Sequence, residues 1–391
     1  MVKTMSGLEN PALHTHAWVR GSRIGLLCNP ASVDRNFQHA KHILNQVFPE
    51  QLTALFSPQH GFFAEKQDNM VESAHDTDPH LNIPVFSLYG ETRVPTPEMF
   101  ERIDVLIVDL LDVGTRVYTF TSTLSYCLET AAKQGKRVVV LDRPNPVGGI
   151  QVEGNCLSPD MTSFVGRYPI PMRHGLTMGE YATYINETFD IHCLLNVIPM
   201  TGWERRMYFK NTGLCWVMPS PNLPTPASAV VYPGQVIWEG TNISEGRGTT
   251  LPFEQFGAPF IDIHKLLSFM GGPNLPGAVL RPVAFEPTSN KWAGQVCYGF
   301  QIHVTDPHQF LPYHTSLKLL QGILCHHKNQ FQWKIPPYEY EWDKLPMDMI
   351  IGSTRVRQQL ENLEDLAVIT DGWAEELAQY ASAAAKFHLY K

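Results

Sequence analysis

The chain has 391 residues, 43% of them hydrophobic and 17% charged, with a formal net charge of -8 and a pI near 6.0. That length admits two domains of ordinary size, and the absence of a dominant basic patch argues against nucleic acid as a partner. No apolar run approaches the ~18 residues a membrane span needs, and seven widely spaced Cys without a CxxC argue against a disulfide framework or a Cys-based zinc site.

Met1 to Arg20 carries Lys3 but lacks the apolar core of a signal peptide, so the chain as given reads as cytoplasmic. It would be periplasmic or secreted if a leader had been removed. Arg23 to Cys28 is an apolar run that ends in Asn29-Pro30, and residues 34–47 have helical character with Ala40, Ile43, Leu44 and Val47 on one face. Leu52 to Phe56 is the next strand, followed by Ser57-Pro58-Gln59-His60-Gly61. Val85 to Leu88 is short enough for a buried strand, and it turns polar at Tyr89-Gly90-Glu91-Thr92-Arg93. A short helix is predicted near Pro97 to Arg102. Val105 to Leu110 is β-branched or Leu everywhere but Asp109, as in a parallel strand covered on both faces. A helix from Phe120 to Gln134 is stopped by Gly135, and Arg137 to Leu141 is another buried strand ending in Asp142-Arg143. A helix from Thr177 to Glu187 and a strand near Leu194 to Pro199 complete the alternation. Strands alternating with helices predict an α/β fold: a Rossmann-like, mainly parallel sheet with right-handed crossovers.

The second half changes character. Pro and Gly punctuate it, as in Pro219-Ser220-Pro221-Asn222-Leu223-Pro224. Strand-like runs appear at Val279 to Phe285 and Cys297 to Val304, and helices at Tyr313 to His326 and from Asp371 onward. This predicts a smaller α/β or α+β subdomain, with the boundary near residue 200: domains over 20–200 and 201–391, and a cleft between them. Residues 217–228 and 233–259 read as long loops, which are usually functional when they are ordered.

No GxGxxG follows the first strand and no GxxxxGK[ST] or GxSxG occurs, so neither nucleotide binding nor an α/β-hydrolase serine mechanism has support. The sixteen His are scattered without an HExxH, and no metal or cofactor is predicted. The polar groups after the strands are the informative ones, because ligands of open α/β sheets bind outside the carboxyl ends of the strands. They are His60, then Glu91 and Arg93, then Asp112, Arg116 and Tyr118, then Asp142, Arg143 and Asn145. The second half adds Trp238-Glu239-Gly240-Thr241-Asn242-Ile243-Ser244-Glu245-Gly246-Arg247, which lacks the Lys of a phosphate cradle and suits a polyhydroxylated ligand. Two carboxylates of separated pKa are what glycosidic bond hydrolysis usually requires.

Several motifs occur in the order seen in one bacterial family. They are Ser57-Pro58-Gln59-His60-Gly61-Phe62, Ser87-Leu88-Tyr89-Gly90-Glu91, Asp112 to Thr119, Leu141 to Pro146, Val152-Glu153-Gly154, His174 to Thr177, Pro219 to Pro224, and Glu239 to Thr249. With them the chain resembles the NamZ-like exo-β-N-acetylmuramidases from about residue 20 to the C-terminus. The resemblance implies a glycosidase that removes N-acetylmuramic acid from the non-reducing ends of peptidoglycan fragments. The competing readings are another carbohydrate-active hydrolase and a non-catalytic binder of cell-wall fragments.

By position, the resemblance implies Glu91 as the general acid. Glu239, Glu245 and Asp112 are alternatives for the second carboxylate, and His60 would orient a carboxylate or hold a sugar hydroxyl. The lactyl carboxylate of muramic acid invites a bidentate guanidinium, for which Arg93, Arg116 and Arg247 are available. Trp238, Tyr89 and Tyr118 would pack on sugar faces, although Tyr118 equally suits a core, and Asn222 and Asn242 add polar contacts. Gln59 stands where an acidic residue occurs in many members, which suggests that position 59 is not essential.

Overall fold

Ile24–Cys28 (β1), Leu52–Ser57 (β2), Asp76–Thr77 (β3), Pro84–Ser87 (β4), Val105–Asp109 (β5) and Arg137–Leu141 (β6) are the first six strands. The structure, a computed structural model, describes residues 3–15, 21–62, 66 and 71–391. Every residue of β1 and β5 is buried, because the sheet they form is covered on both faces. Successive side chains of a strand point to opposite faces. Val105 and Ile107 therefore pack with Ala40 and Leu44 on one face, while Leu106 and Val108 pack with Leu124 and Leu128 on the other.

After Glu153–Cys156 (β7) and Pro171–Arg173 (β8), which pair with each other, Leu194–Ile198 (β9) completes the sheet in the order β3-β4-β2-β1-β5-β6-β9. All its pairings are parallel except β3 with β4. Without the short β3, this is the doubly wound Rossmann order, with its switch point between β1 and β5. Ligand-competent loops are thus expected beyond the ends of β2, β4 and β5.

The second sheet is antiparallel: Gln255–Ala258 (β10), Asn274–Leu275 (β11), Ala278–Phe285 (β12) and Cys297–Val304 (β13), in the order β10-β13-β12-β11. Helix Pro312–His327 packs against helix Pro226–Gln235. One apolar cluster runs from Leu106 and Val108 through Tyr232 and Trp238 to Phe300 and Ile350. The two halves therefore share a core rather than meeting across a wet interface.

Two predicted stretches differ. Residues 34–47 are helical only over Ala40–Val47. The Asp34 carboxylate accepts the N–H groups of Asn36 and Gln38, and Phe37 takes a left-handed φ of 62°, so a turn replaces the first part of the predicted helix. The region read as a loop over 233–259 contains the end of helix Pro226–Gln235, the 3-10 helix Val236–Gly240 and β10. Its Pro233 and Gly234 obscure that order in sequence. A Cβ on Gly234 would lie 2.0 Å from the Pro312 carbonyl oxygen, so glycine is required for the close helix crossing. Among the described residues no helix is long and apolar enough to cross a membrane.

Candidate active site

The loops beyond β2, β4 and β5 meet the C-terminal half at a small cavity of about 30 Å³. Gln59, His60, Tyr118 and Thr119 reach it from the sheet side, and Tyr232, Glu239, Arg247, Phe253, Tyr338 and Glu339 from the other. Residues nearly 280 positions apart thus share one wall: Gln59 donates through Nε2 to Glu339 Oε1 at 3.1 Å.

Glu239 is the best-defined charge there. It is buried on the 3-10 helix that follows helix Pro226–Gln235. Arg247 donates to its Oε1 at 2.7 Å and the Tyr338 hydroxyl to its Oε2 at 2.7 Å. Burial works against the charge, but the Arg247 guanidinium outweighs it and holds the carboxyl down at about 2. Arg247 also lies 3.1 Å from Glu245, and Lys291 lies 2.8 Å from the same carboxylate. Two buried anions and two cations form a closed network.

Glu339 is the other carboxylate of the cavity, and sequence reasoning missed it. It accepts from the Tyr89 hydroxyl at 2.7 Å as well as from Gln59. Burial first, and then the nearby Glu239 charge, raise its pKa. The two carboxylates are therefore shifted in opposite directions, Glu239 toward the anion and Glu339 toward the neutral form. The sequence cue is slight: Tyr338-Glu339-Tyr340-Glu341-Trp342 alternates aromatic and acidic residues, but nothing local ties it to the sheet edge. Gln59, set aside on its amide, is a wall residue whose Oε1 accepts from the Thr119 hydroxyl at 2.5 Å.

The other predicted residues divide. His60 lines the cavity and is pushed down to about 4 by burial, so it is neutral at pH 7. Tyr118 lines it too, with its hydroxyl buried. Tyr89 is buried beside it. Glu91 does not line the cavity; it is exposed in the loop two residues after Tyr89. The Arg93 guanidinium stacks 3.1 Å from the Tyr340 ring centroid.

Arg116 is a correction. Its guanidinium is fully buried and donates to the carbonyls of Asn155, Ile170, Ile350 and Ile351 at 2.7–3.0 Å. It clamps the carboxyl end of helix Pro346–Ile351, where a cation also complements the helix dipole, and it has no reach to a sugar. Trp238 is another: it is 0% exposed, lies flat on Phe256 and donates its indole N–H to Gln235, so it offers no face to a ligand. Asn242 is a third, its amide committed to the backbone of Gln330 and Gln332.

Asp112 sits off the cavity wall, with Oδ2 taken by the Gly114 N–H at 2.6 Å and by His174 Nε2 at 3.1 Å. His174 Nδ1 accepts from Leu176 N–H, so Nε2 carries the proton and donates. Glu245 also lies behind the wall, and Asn222 is half-buried in the turn after Pro219. The Asp142-Arg143 sequence pair does not neutralise itself: Arg143 reaches across the strand ends to a two-point ion pair with Asp109. Among the described residues no three His, Cys, Asp or Glu side chains converge as metal ligands.

A Rossmann-ordered sheet, a second antiparallel domain on a shared core, and a carboxylate-bearing cavity where they meet define the class: a two-domain α/β protein whose site lies between its domains. The chain belongs to the NamZ exo-β-N-acetylmuramidase family. Residues 24–227 match the family's N-terminal model and residues 230–390 its C-terminal model. It is 39% identical over 389 residues to the peptidoglycan β-N-acetylmuramidase NamZ of Bacillus subtilis (strain 168), covering 99% of this chain and 92% of that one. It is similar to two crystal structures of DUF1343 family proteins from Bacteroides fragilis NCTC 9343. One has a TM-score of 0.89, 32% identity and full coverage of both chains. The other has a TM-score of 0.75, 25% identity and 99% coverage of both.

Proposed function

We propose that this protein is a glycosidase that removes β-linked N-acetylmuramic acid from the non-reducing ends of peptidoglycan fragments. The observation that carries this reading is the buried Glu239 carboxylate, held ionised by Arg247 on the cavity wall, in a chain of this family. A fixed anion facing the sugar stabilises the positive charge that grows at the anomeric carbon during glycosidic bond cleavage. Glu239 fills that role. Glu91, exposed in the loop after β4, is the proton donor to the departing oxygen on the solvent side. Tyr118 and neutral His60 offer hydrogen bonds to sugar hydroxyls.

The test is release of the chromophore from a chromogenic β-N-acetylmuramide by the wild type and by Glu91→Gln. The substitution keeps shape and removes the acid. The expected result is turnover by the wild type and a loss of at least ~100-fold in the variant, the low end for general acid catalysis. Retained activity in Glu91→Gln would move the acid to another carboxylate. A folded wild type that binds muramyl sugars without turning them over would identify a sensor.

A further inference from the structure

The cavity of about 30 Å³ is small beside small-molecule sites, which run to ~300 Å³ and above. A sugar that reaches into it deeply needs part of its wall to yield. Most of that wall is anchored: Tyr118 and Tyr232 pack ring to ring within the main core, and Glu239 and Arg247 belong to the buried charge network. The Tyr338–Glu341 turn is held at its start, where Tyr338 sits in the core and donates to Glu239, but beyond that its tip is tied to the rest of the chain chiefly by side chains, Glu339 to Tyr89 and Gln59 and Tyr340 to Glu72. It is closed on itself by a two-residue bridge. Its two central residues, Glu339 and Tyr340, have left-handed φ values of 47° and 65°, which non-glycine residues adopt rarely and at a cost. Trp342, next along, is 69% exposed.

This turn delivers two groups to the rim of the sheet. The Glu339 carboxylate lies between the Tyr89 hydroxyl and the Gln59 amide, whose orientation is set by Thr119. The Tyr340 ring covers Arg93, whose Nε and Nη2 are buried and have no hydrogen-bond partner among the described residues. Arg93 is near enough for its charge to act on Glu339. Withdrawal of the turn would carry the carboxylate away and uncover the guanidinium together. Left behind would be a hydroxyl donor, an amide donor and a guanidinium around a place shaped for a carboxylate. Two buried guanidinium nitrogens without a hydrogen-bond partner are costly, and a planar anion is their natural complement.

N-acetylmuramic acid differs from N-acetylglucosamine by one group, a lactyl ether that ends in a carboxylate. We infer that Glu339 stands in for that carboxylate in the closed protein, and that Gln59, Tyr89 and Arg93 form the subsite that selects muramic acid over glucosamine. The substrate's carboxylate displaces Glu339, and the turn swings out with it. This rests on the muramidase reading for the choice of ligand, but its main test needs no turnover.

Binding of free N-acetylmuramic acid and free N-acetylglucosamine is measured by calorimetry for the wild type, Arg93→Met, Arg93→Lys and Glu339→Ala. The wild type should prefer the muramic sugar. Arg93→Met should cut that preference by about 100-fold, as sites built to hydrogen-bond a ligand group do when the match is lost. Arg93→Lys, which keeps the charge without the fork, should fall between. Glu339→Ala should bind the muramic sugar several-fold more tightly, because its internal competitor is gone. In turnover, Glu339→Ala should lower KM for the muramide.

Equal weakening for both sugars in Arg93→Met would overturn the subsite. A kcat loss of ~100-fold in Glu339→Ala with KM unmoved would make Glu339 part of the chemistry and overturn the stand-in role. A wild type that shows the binding preference but no turnover would sink the glycosidase reading and leave the subsite standing.

Discussion

Replacing Arg247 by Met would strand the Glu239 carboxylate in a buried site. Breaking a buried ion pair from one side typically costs ~3–5 kcal/mol, because the remaining charge keeps its desolvation penalty. The carboxyl itself gives a similar figure. Its pKa moves from 4.5 to about 2, which at ~1.36 kcal/mol per unit is about 3 kcal/mol. Glu245 is affected less, since Lys291 still holds it at 2.8 Å. For 391 residues, an unfolding entropy of about 2.1 cal/mol/K per residue sums to about 0.8 kcal/mol/K, so Tm should fall by about 4–6 °C. The sign with pH follows from a depressed carboxyl: its stabilisation is complete above the unfolded pKa near 4.5 and is lost as pH falls toward 2. The gap between wild type and Arg247→Met, measured by thermal unfolding, should therefore be open at pH 7 and narrower near pH 4. In a Glu239→Gln background, Arg247→Met should cost much less, since no anion is stranded at that position. A Tm within about 1 °C of wild type at pH 7, or an equal loss in both backgrounds, would refute the assignment of Arg247 as the counter-charge of Glu239.

Arg116→Met removes a donor from four buried carbonyls, of which Ile170 and Ile351 keep a second one in the Leu157 N–H and the Asn155 amide. The expected loss is about 3 kcal/mol or more, read as a lower Tm and poorer soluble yield, with KM of the surviving folded protein unmoved. A rise in KM at unchanged Tm would return Arg116 to the substrate. Gly234→Ala should destabilise by ~1–3 kcal/mol or more, because its methyl would meet the Pro312 carbonyl at 2.0 Å; denaturant unfolding would show it, and a neutral result would mean the helices part easily. Glu153 is pushed up to about 7 by burial, so folding takes up a proton and stability falls as pH rises from near 4.5 through 7. Glu153→Gln should flatten that slope, by about 3 kcal/mol at most across the window; an unchanged Tm-against-pH profile would rule this out.

Much of the first domain could be read along the chain. Residues 24–28, 105–109 and 137–141 are strands of a sheet covered on both faces, so each residue is buried, and the apolar run is itself the signal. Helix Phe120–Lys133 shows in its spacing and ends where Gly135, with φ of 62°, reverses the chain. The rim position of His60, Tyr89 and Tyr118 was legible for the same reason, since each follows a strand or the loop just beyond it. Helix Pro226–Gln235 was not legible: Pro233 and Gly234 look like breakers, and only the neighbouring helix shows why a glycine must stand there. Arg116 and Trp238 share a motif style with ligand-binding residues, and their burial was decided by partners more than 200 positions away in one case and by a facing ring in the other. Glu339 was invisible for the clearest physical cause. Its environment is made by Gln59 and Tyr89, 280 and 250 residues earlier, and a carboxylate's charge depends on what surrounds it in space. The sequence by itself determined the sheet, its edge and the family resemblance. Tertiary structure alone decided which carboxylates face each other and which guanidiniums are spent on carbonyls, because desolvation and hydrogen bonding across the two halves exist only once they have packed.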